Sequence, residues 1–183
     1  MAEFNVALFY GTVFNGDTRF KEAHFNDAVI FKNSRFNGKA LFDGSEYSSQ
    51  FKGRVDFSGA YFGAEVSFIN RIFKQSTSFE NTVFLKAPVF HNCELHQDTD
   101  FFGAEFKDHS GDSGRAYRTL KLEMEKRGAI KEQAQFFVLE EEAMRKPSLW
   151  FLQTVGYGRR PRRDAQSKGR DQGICRGQSH QES

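Results

Sequence analysis

The sequence predicts an all-β solenoid of very short strands, closed at its C-terminal end by two helices and followed by a basic tail. Three observations predict it. Phenylalanine recurs through residues 4–106 at steps of five and six, mostly alternating, so the pattern repeats every 11 residues. A mean step of 5.5 fits neither a helix nor a flat strand, and marks an internal repeat whose units stack on one another. A small residue stands two positions before the repeat centre in 18 of 20 units. Finally, the rhythm stops: 19 of the 22 Phe lie in residues 1–110 and none lies beyond Phe151.

Each unit follows from these residues. The centres are Phe at 4, 9, 14, 20, 25, 31, 36 and 42, then Tyr47, then Phe at 51, 57, 62, 68, 73, 79, 84 and 90, then Leu95, Phe101 and Phe106. In extended backbone a centre and the small residue two places earlier point the same way, and the residues between and after them point outward. The residue after the centre is usually polar, as at Asn5, Lys21, Asn26 and Asp43, and Gly, Asn or Asp often follows within one or two places. Each unit is therefore a short strand that ends in a corner.

Runs such as AVIFKNSRFNGKALFDGS and VDFSGAYFGAEVSF carry a resemblance to the pentapeptide-repeat family, over about residues 2–106. The five/six alternation looks like a Phe-centred subgroup. The resemblance implies a right-handed quadrilateral β-helix of about five coils, with 22 residues per coil and a length of roughly 24 Å. On that winding Phe20, Phe42, Phe62, Phe84 and Phe106 are expected in one column. The step of 20 from Phe42 to Phe62 predicts one residue missing near residues 48–52, and a bulge or tightened corner there. Arg71 occupies an inward small-residue position; its wall is expected to be distorted, or its guanidinium to snorkel out.

Open solenoid ends expose unpaired backbone groups and need cover. Residues 1–110 form the β-helix, and residues 111–147 read as a helical hairpin cap broken near Gly128. Asp112 or Ser113 serves as N-cap, and Ala116, Leu120, Met124, Ile130, Ala134, Phe137 and Met144 recur at helical spacing. No such cover precedes Phe4. Either upstream sequence belongs there, or the N-terminal coil pairs with a second copy as a homodimer. Residues 148–183 are basic and compositionally disordered. Tyr157-Gly158-Arg159 resembles the stretch that precedes membrane helices in Phe-centred relatives, so a truncated or frame-shifted form of a longer protein is one expectation and a plain disordered tail the other. A membrane enters only if the protein continues past residue 158.

The net charge of +2 is unevenly spread: −3 over residues 1–110, +1 over 111–147 and +4 over 148–183. A weakly acidic body with a basic tail is not a nucleic-acid-binding balance. Cys93 and Cys175 form no disulfide framework and fit a reducing compartment, so a cytoplasmic location is expected. The N-terminus does not read as a signal peptide, and the apolar run Leu149-Trp150-Phe151-Leu152 is far short of a membrane span.

Candidate chemistry is thin. The GDSG of residues 111–114 resembles a serine-protease nucleophile loop, but reads as a helix-capping turn. His91, Cys93 and His96 have metal-ligand chemistry, yet the repeat turns Cys93 inward and both histidines outward on adjacent walls. No catalytic, cofactor-binding or metal residues are assigned, and no cofactor is expected. Leu41, Tyr61, Val83 and Leu85 flank centres of the predicted column and are expected to form an apolar contact stripe. The reading is a non-enzymatic scaffold or protein-interaction module with an unidentified protein partner, and the alternative is a DNA-mimic inhibitor of a type II topoisomerase. A DNA mimic requires a strongly acidic rod, which a net −3 with frequent outward Lys does not supply.

Overall fold

The computed structural model of the chain describes residues 3–45 and 49–145. Within them, residues 3–106 wind into a parallel β-solenoid of about five coils with four walls. Wall A is built from the strands Glu3–Phe4, His24–Phe25, Gln50–Phe51 and Ile72–Phe73. Wall B carries Ala7–Leu8, Val29–Ile30, Val55–Asp56, Thr77–Ser78 and Thr99–Asp100. Wall C carries Val13–Phe14, Arg35–Phe36, Tyr61–Phe62, Val83–Phe84 and Glu105–Phe106. Wall D carries Thr18–Arg19, Ala40–Leu41 and Val66–Ser67. Single bridges extend wall D to Val89 and wall A to Glu94.

The strands are two residues long because every unit must turn a corner, so stability comes from stacking between coils. Phe9, Phe31, Phe57, Phe79 and Phe101 lie face to face at 4.8, 5.0, 5.2 and 4.9 Å between centroids. That spacing is the distance between hydrogen-bonded strands, so one ladder sets both backbone and ring stacking. Rings from neighbouring walls meet edge to face, as Phe31 does with Phe42 at 5.4 Å and 74°. The small inward residue leaves room for them and also bonds. The Ser34 hydroxyl donates to the Phe9 carbonyl, Thr82 to Phe57 at 2.8 Å, and the Cys93 thiol to Phe68 at 2.7 Å, each 25 residues back.

The five/six alternation has a conformational cause. Except after Phe42, five-residue steps follow walls B and D, where the second residue after the centre is left-handed: Gly11, Glu22, Asn33, Gly59, Asn70, Asn81, Asn92 and Gly103, with φ between 54° and 67°. The N–H of the next residue returns to the centre's carbonyl, for example Ala23 to Phe20 at 3.1 Å and Thr82 to Phe79 at 3.1 Å, closing a tight turn. Except in coil 1, where Phe9 follows Phe4 after five residues, walls A and C are followed by six-residue steps without the left-handed residue.

The second coil corrects the expected column. Phe42 stacks on Phe20 and Phe68, while Phe62 stacks on Phe36 and Phe84. Phe25 pairs with Phe51, 26 residues later, where other coils advance 21 or 22. The chain therefore carries four extra residues after Phe42; no residue is missing. Counting Tyr47 as a wall centre shifted every later assignment by one wall. Tyr47 itself lies outside the described residues.

Arg71 corrects the second expectation. Its side chain neither snorkels out nor distorts its wall; Ile72–Phe73 keeps its register with Gln50–Phe51. It is fully buried. Its guanidinium donates to four backbone carbonyls: Phe42, Ala23 at 2.9 Å, Phe20 at 3.0 Å and Asp43 at 3.4 Å. Two of these acceptors are the last residues before the insertion. Burial lowers its pKa to about 10, which leaves it charged at neutral pH.

Two antiparallel helices close the C-terminal end: α1, Gly114–Lys126, and α2, Ile130–Arg145. They are joined at left-handed Gly128, with Gly128 N–H bonded to Glu125 and Ala129 N–H to Met124, the pairing of a Schellman stop. Tyr117 and Phe136 meet Phe106 at 6.0 and 5.2 Å, and the Tyr117 hydroxyl donates to the Asp108 carbonyl at 2.7 Å. Leu120 and Met124 are buried as the helical spacing predicts. On α2 the packing face is Phe136, Leu139 and Ala143, and the predicted Ile130, Ala134, Phe137 and Met144 face outward. Both sides of α2 are apolar, so periodicity fits either. Ser113 takes the N-cap position, but its hydroxyl donates to the Ser110 carbonyl at 2.7 Å and caps nothing.

Candidate interaction surfaces

Wall C holds three of the four residues expected to form a contact stripe. Tyr61 and Val83 are direct partners on adjacent strands, and Leu85 follows on the same wall. Leu41 lies on wall D, between Arg19 and Ser67, for the same reason that the Phe column divides. The Arg35 guanidinium covers one side of Tyr61, 3.9 Å from the ring centroid.

Beside this wall, the corner between walls C and D and the start of α1 enclose an open recess of about 520 Å³. Gly63, Ala64, Ala87, Val89 and Ala116 give it an apolar floor, and the Lys39–Glu65 pair at 2.9 Å stands at its edge. Asp108 lines the other side. Burial would raise its carboxyl, but hydrogen bonds from Ser110 and the Ala87 N–H outweigh this and hold it below the usual carboxylate value.

The first coil differs from the rest. Phe4, Phe9, Phe14 and Phe20 are only half-buried, whereas every centre from Phe25 to Phe106 is buried. Val6, Leu8, Tyr10 and Val13 are exposed around it, Leu8 at 70%. The inward repeat pattern carries no trace of this patch; its signal in the sequence is apolar residues at outward positions in a single coil.

The residues with chemical potential do not converge. The Cys93 thiol points inward, and burial pushes it up to about 12, so it is no ready thiolate. His96 accepts the Asp98 N–H through Nδ1 at 3.2 Å, and His91 is exposed on the neighbouring wall. Among the described residues no group of three or more His, Cys, Asp or Glu is placed to hold a metal ion. The GDSG segment is the turn into α1, with Ser113 buried. No described helix is long and apolar enough to cross a membrane.

Comparison with known proteins matches residues 4–46 to the family model for pentapeptide repeats (9 copies). No curated protein and no solved structure matches the chain significantly.

Proposed function

We propose that this chain, a member of the pentapeptide-repeat family, is a non-enzymatic scaffold whose first coil joins a second copy end to end. A repeat β-solenoid fits a scaffold or interaction module, because inward residues are committed to packing and regular walls are left for contacts. The observation that carries the reading is the half-buried ring of Phe4, Phe9, Phe14 and Phe20, rimmed by exposed Val6, Leu8, Tyr10 and Val13. Two such ends placed face to face would bury the rings and pair the open strand edges of coil 1. The Tyr61–Val83–Leu85 face and the adjoining recess then remain for a protein partner.

Cations and carboxylates alternate along the walls, as in Lys21–Asp43, Lys39–Glu65, Arg54–Asp56 and Lys107–Glu105. This mixed surface favours protein contact over imitation of a polyanion. The test is sedimentation velocity on the chain and on Leu8→Glu with Val13→Glu. A wild-type dimer at micromolar concentration that becomes a folded monomer in the variant supports the reading. A wild-type monomer at a hundred-fold higher concentration overturns it.

A further inference from the structure

We propose that the outer face of α2 is a docking surface for the chain's own segment Leu149-Trp150-Phe151-Leu152, which straps the helical cap. The helix carries a second apolar face that the described residues cover only along one edge, where Lys121 Nζ lies 5.6 Å from the Phe137 ring centroid and the Arg118 guanidinium reaches Met144 Sδ at 4.0 Å. Ile130, Phe137, Val138 and Met144 are 74%, 51%, 53% and 52% exposed, and Ala134 is exposed between them. They recur at the spacing of one helical stripe, on the other side of α2 from Phe136, Leu139 and Ala143. Four large apolar residues exposed on one helix form a contact surface, not scattered surface apolarity.

The occupant follows from where the described chain ends. It leaves α2 at Arg145, next to Met144, and the apolar run begins four residues later. Four residues of extended chain reach at most about 14 Å. Met144 to Phe137 is seven helical residues, about 10 Å. Residues 149–152 can therefore turn back over both. Tethering gives the segment an effective concentration in the millimolar range, ahead of a second copy at micromolar concentration. Glu141 stands within the stripe, four residues after Phe137 and three before Met144, and pairs with Arg145 at 3.8 Å; a carboxylate at that place is unlike the basic polar face of a helix that lies on an anionic membrane.

Trp150 is the single Trp of the chain, so its fluorescence reads the contact without a label. In the full chain the indole is expected to be shielded from acrylamide, independently of protein concentration and without lipid. Phe137→Glu with Val138→Glu, both exposed positions, should raise quenching several-fold to the level of the denatured chain while far-UV circular dichroism stays unchanged. Met144→Glu provides the same reading should the double variant lose helix signal. Quenching equal to the denatured chain in the wild type overturns the proposal, as does shielding that both folded variants retain. Shielding that appears only at high protein concentration, or only with phosphatidylglycerol vesicles, replaces the strap with a second copy or a lipid surface. Leu8→Glu with Val13→Glu should leave the shielding untouched, which separates this contact from the end-to-end dimer.

Discussion

Arg71 donates through Nε to the carbonyl of Phe42, 29 residues earlier. It is the bond that Cys93 makes to Phe68 over 25 residues, lengthened by the four-residue insertion. An arginine thus performs the inward hydrogen bond of a small residue, then extends one coil further to Ala23 and Phe20. Arg71→Ala is expected to cost about 3–5 kcal/mol, from the cavity and the orphaned carbonyls together. Arg71→Lys, with fewer donors, should fall between. Urea denaturation midpoints measure both, and a loss under about 1 kcal/mol for Arg71→Ala would show that the carbonyl cage adds little.

Glu22 is the odd member of the left-handed corners, at φ 56° where the other residues are Asn or Gly. Asn tolerates that conformation better because its short side chain bonds locally. Glu22→Asn should raise stability by about 0.5–1 kcal/mol. An unchanged or lowered thermal midpoint would contradict this.

Gly11 and Gly103 share the left-handed conformation but not their surroundings. A Cβ at Gly103 would stand 2.2 Å from Asn81 Oδ1, while one at Gly11 meets nothing within 4 Å. Both Gly→Ala changes carry backbone strain of about 1–2 kcal/mol, and Gly103→Ala must also displace Asn81. Gly103→Ala is therefore expected to cost more, and an Asn81→Ala background should remove the difference. Equal costs in the wild-type background would refute the steric part.

Glu140 ties α2 to α1. It is buried and receives Arg118 and Lys121, each at 2.6 Å. Burial alone would raise its carboxyl, but the bonds from Lys121 and Arg118 prevail and hold it below the usual value. A depressed folded pKa means that the stabilisation is complete above the ordinary glutamate value of about 4.3 and is lost as pH falls through the folded value. Acid titration of the cap's helical signal should show this loss, and Glu140→Gln should flatten it at a cost of about 1–3 kcal/mol near neutrality. An identical acid profile in the variant would assign the transition to other carboxylates.

Phe79 stacks between Phe57 and Phe101 and is fully buried, whereas Phe4 is half-buried at the rim. At concentrations low enough to dissociate the end-to-end dimer, Phe79→Ala should cost about 3–5 kcal/mol and Phe4→Ala clearly less. At dimer-forming concentrations the Phe4→Ala loss should rise towards that of Phe79→Ala, and a Phe4→Ala loss that stays small at every concentration would count against the proposed assembly.

The sequence by itself determined the repeat, its inward pairing of Phe with a small residue, the number of coils and the two-helix cap. Each of these is a local pattern repeated many times, and repetition averages out single exceptions. What it misjudged were single events. Tyr47 reads as a centre because an aromatic stands at the right distance, and that one miscount places Phe62 and Leu41 in a single column when they belong to walls C and D. Arg71 looked like an intruder because its four acceptors lie 28 to 51 residues away, at a corner whose existence depends on the insertion. The tertiary structure alone decided which side of α2 packs, because Phe136 fits over Phe101 and Phe106 while Phe137, its neighbour in sequence, is carried outward by the helical turn.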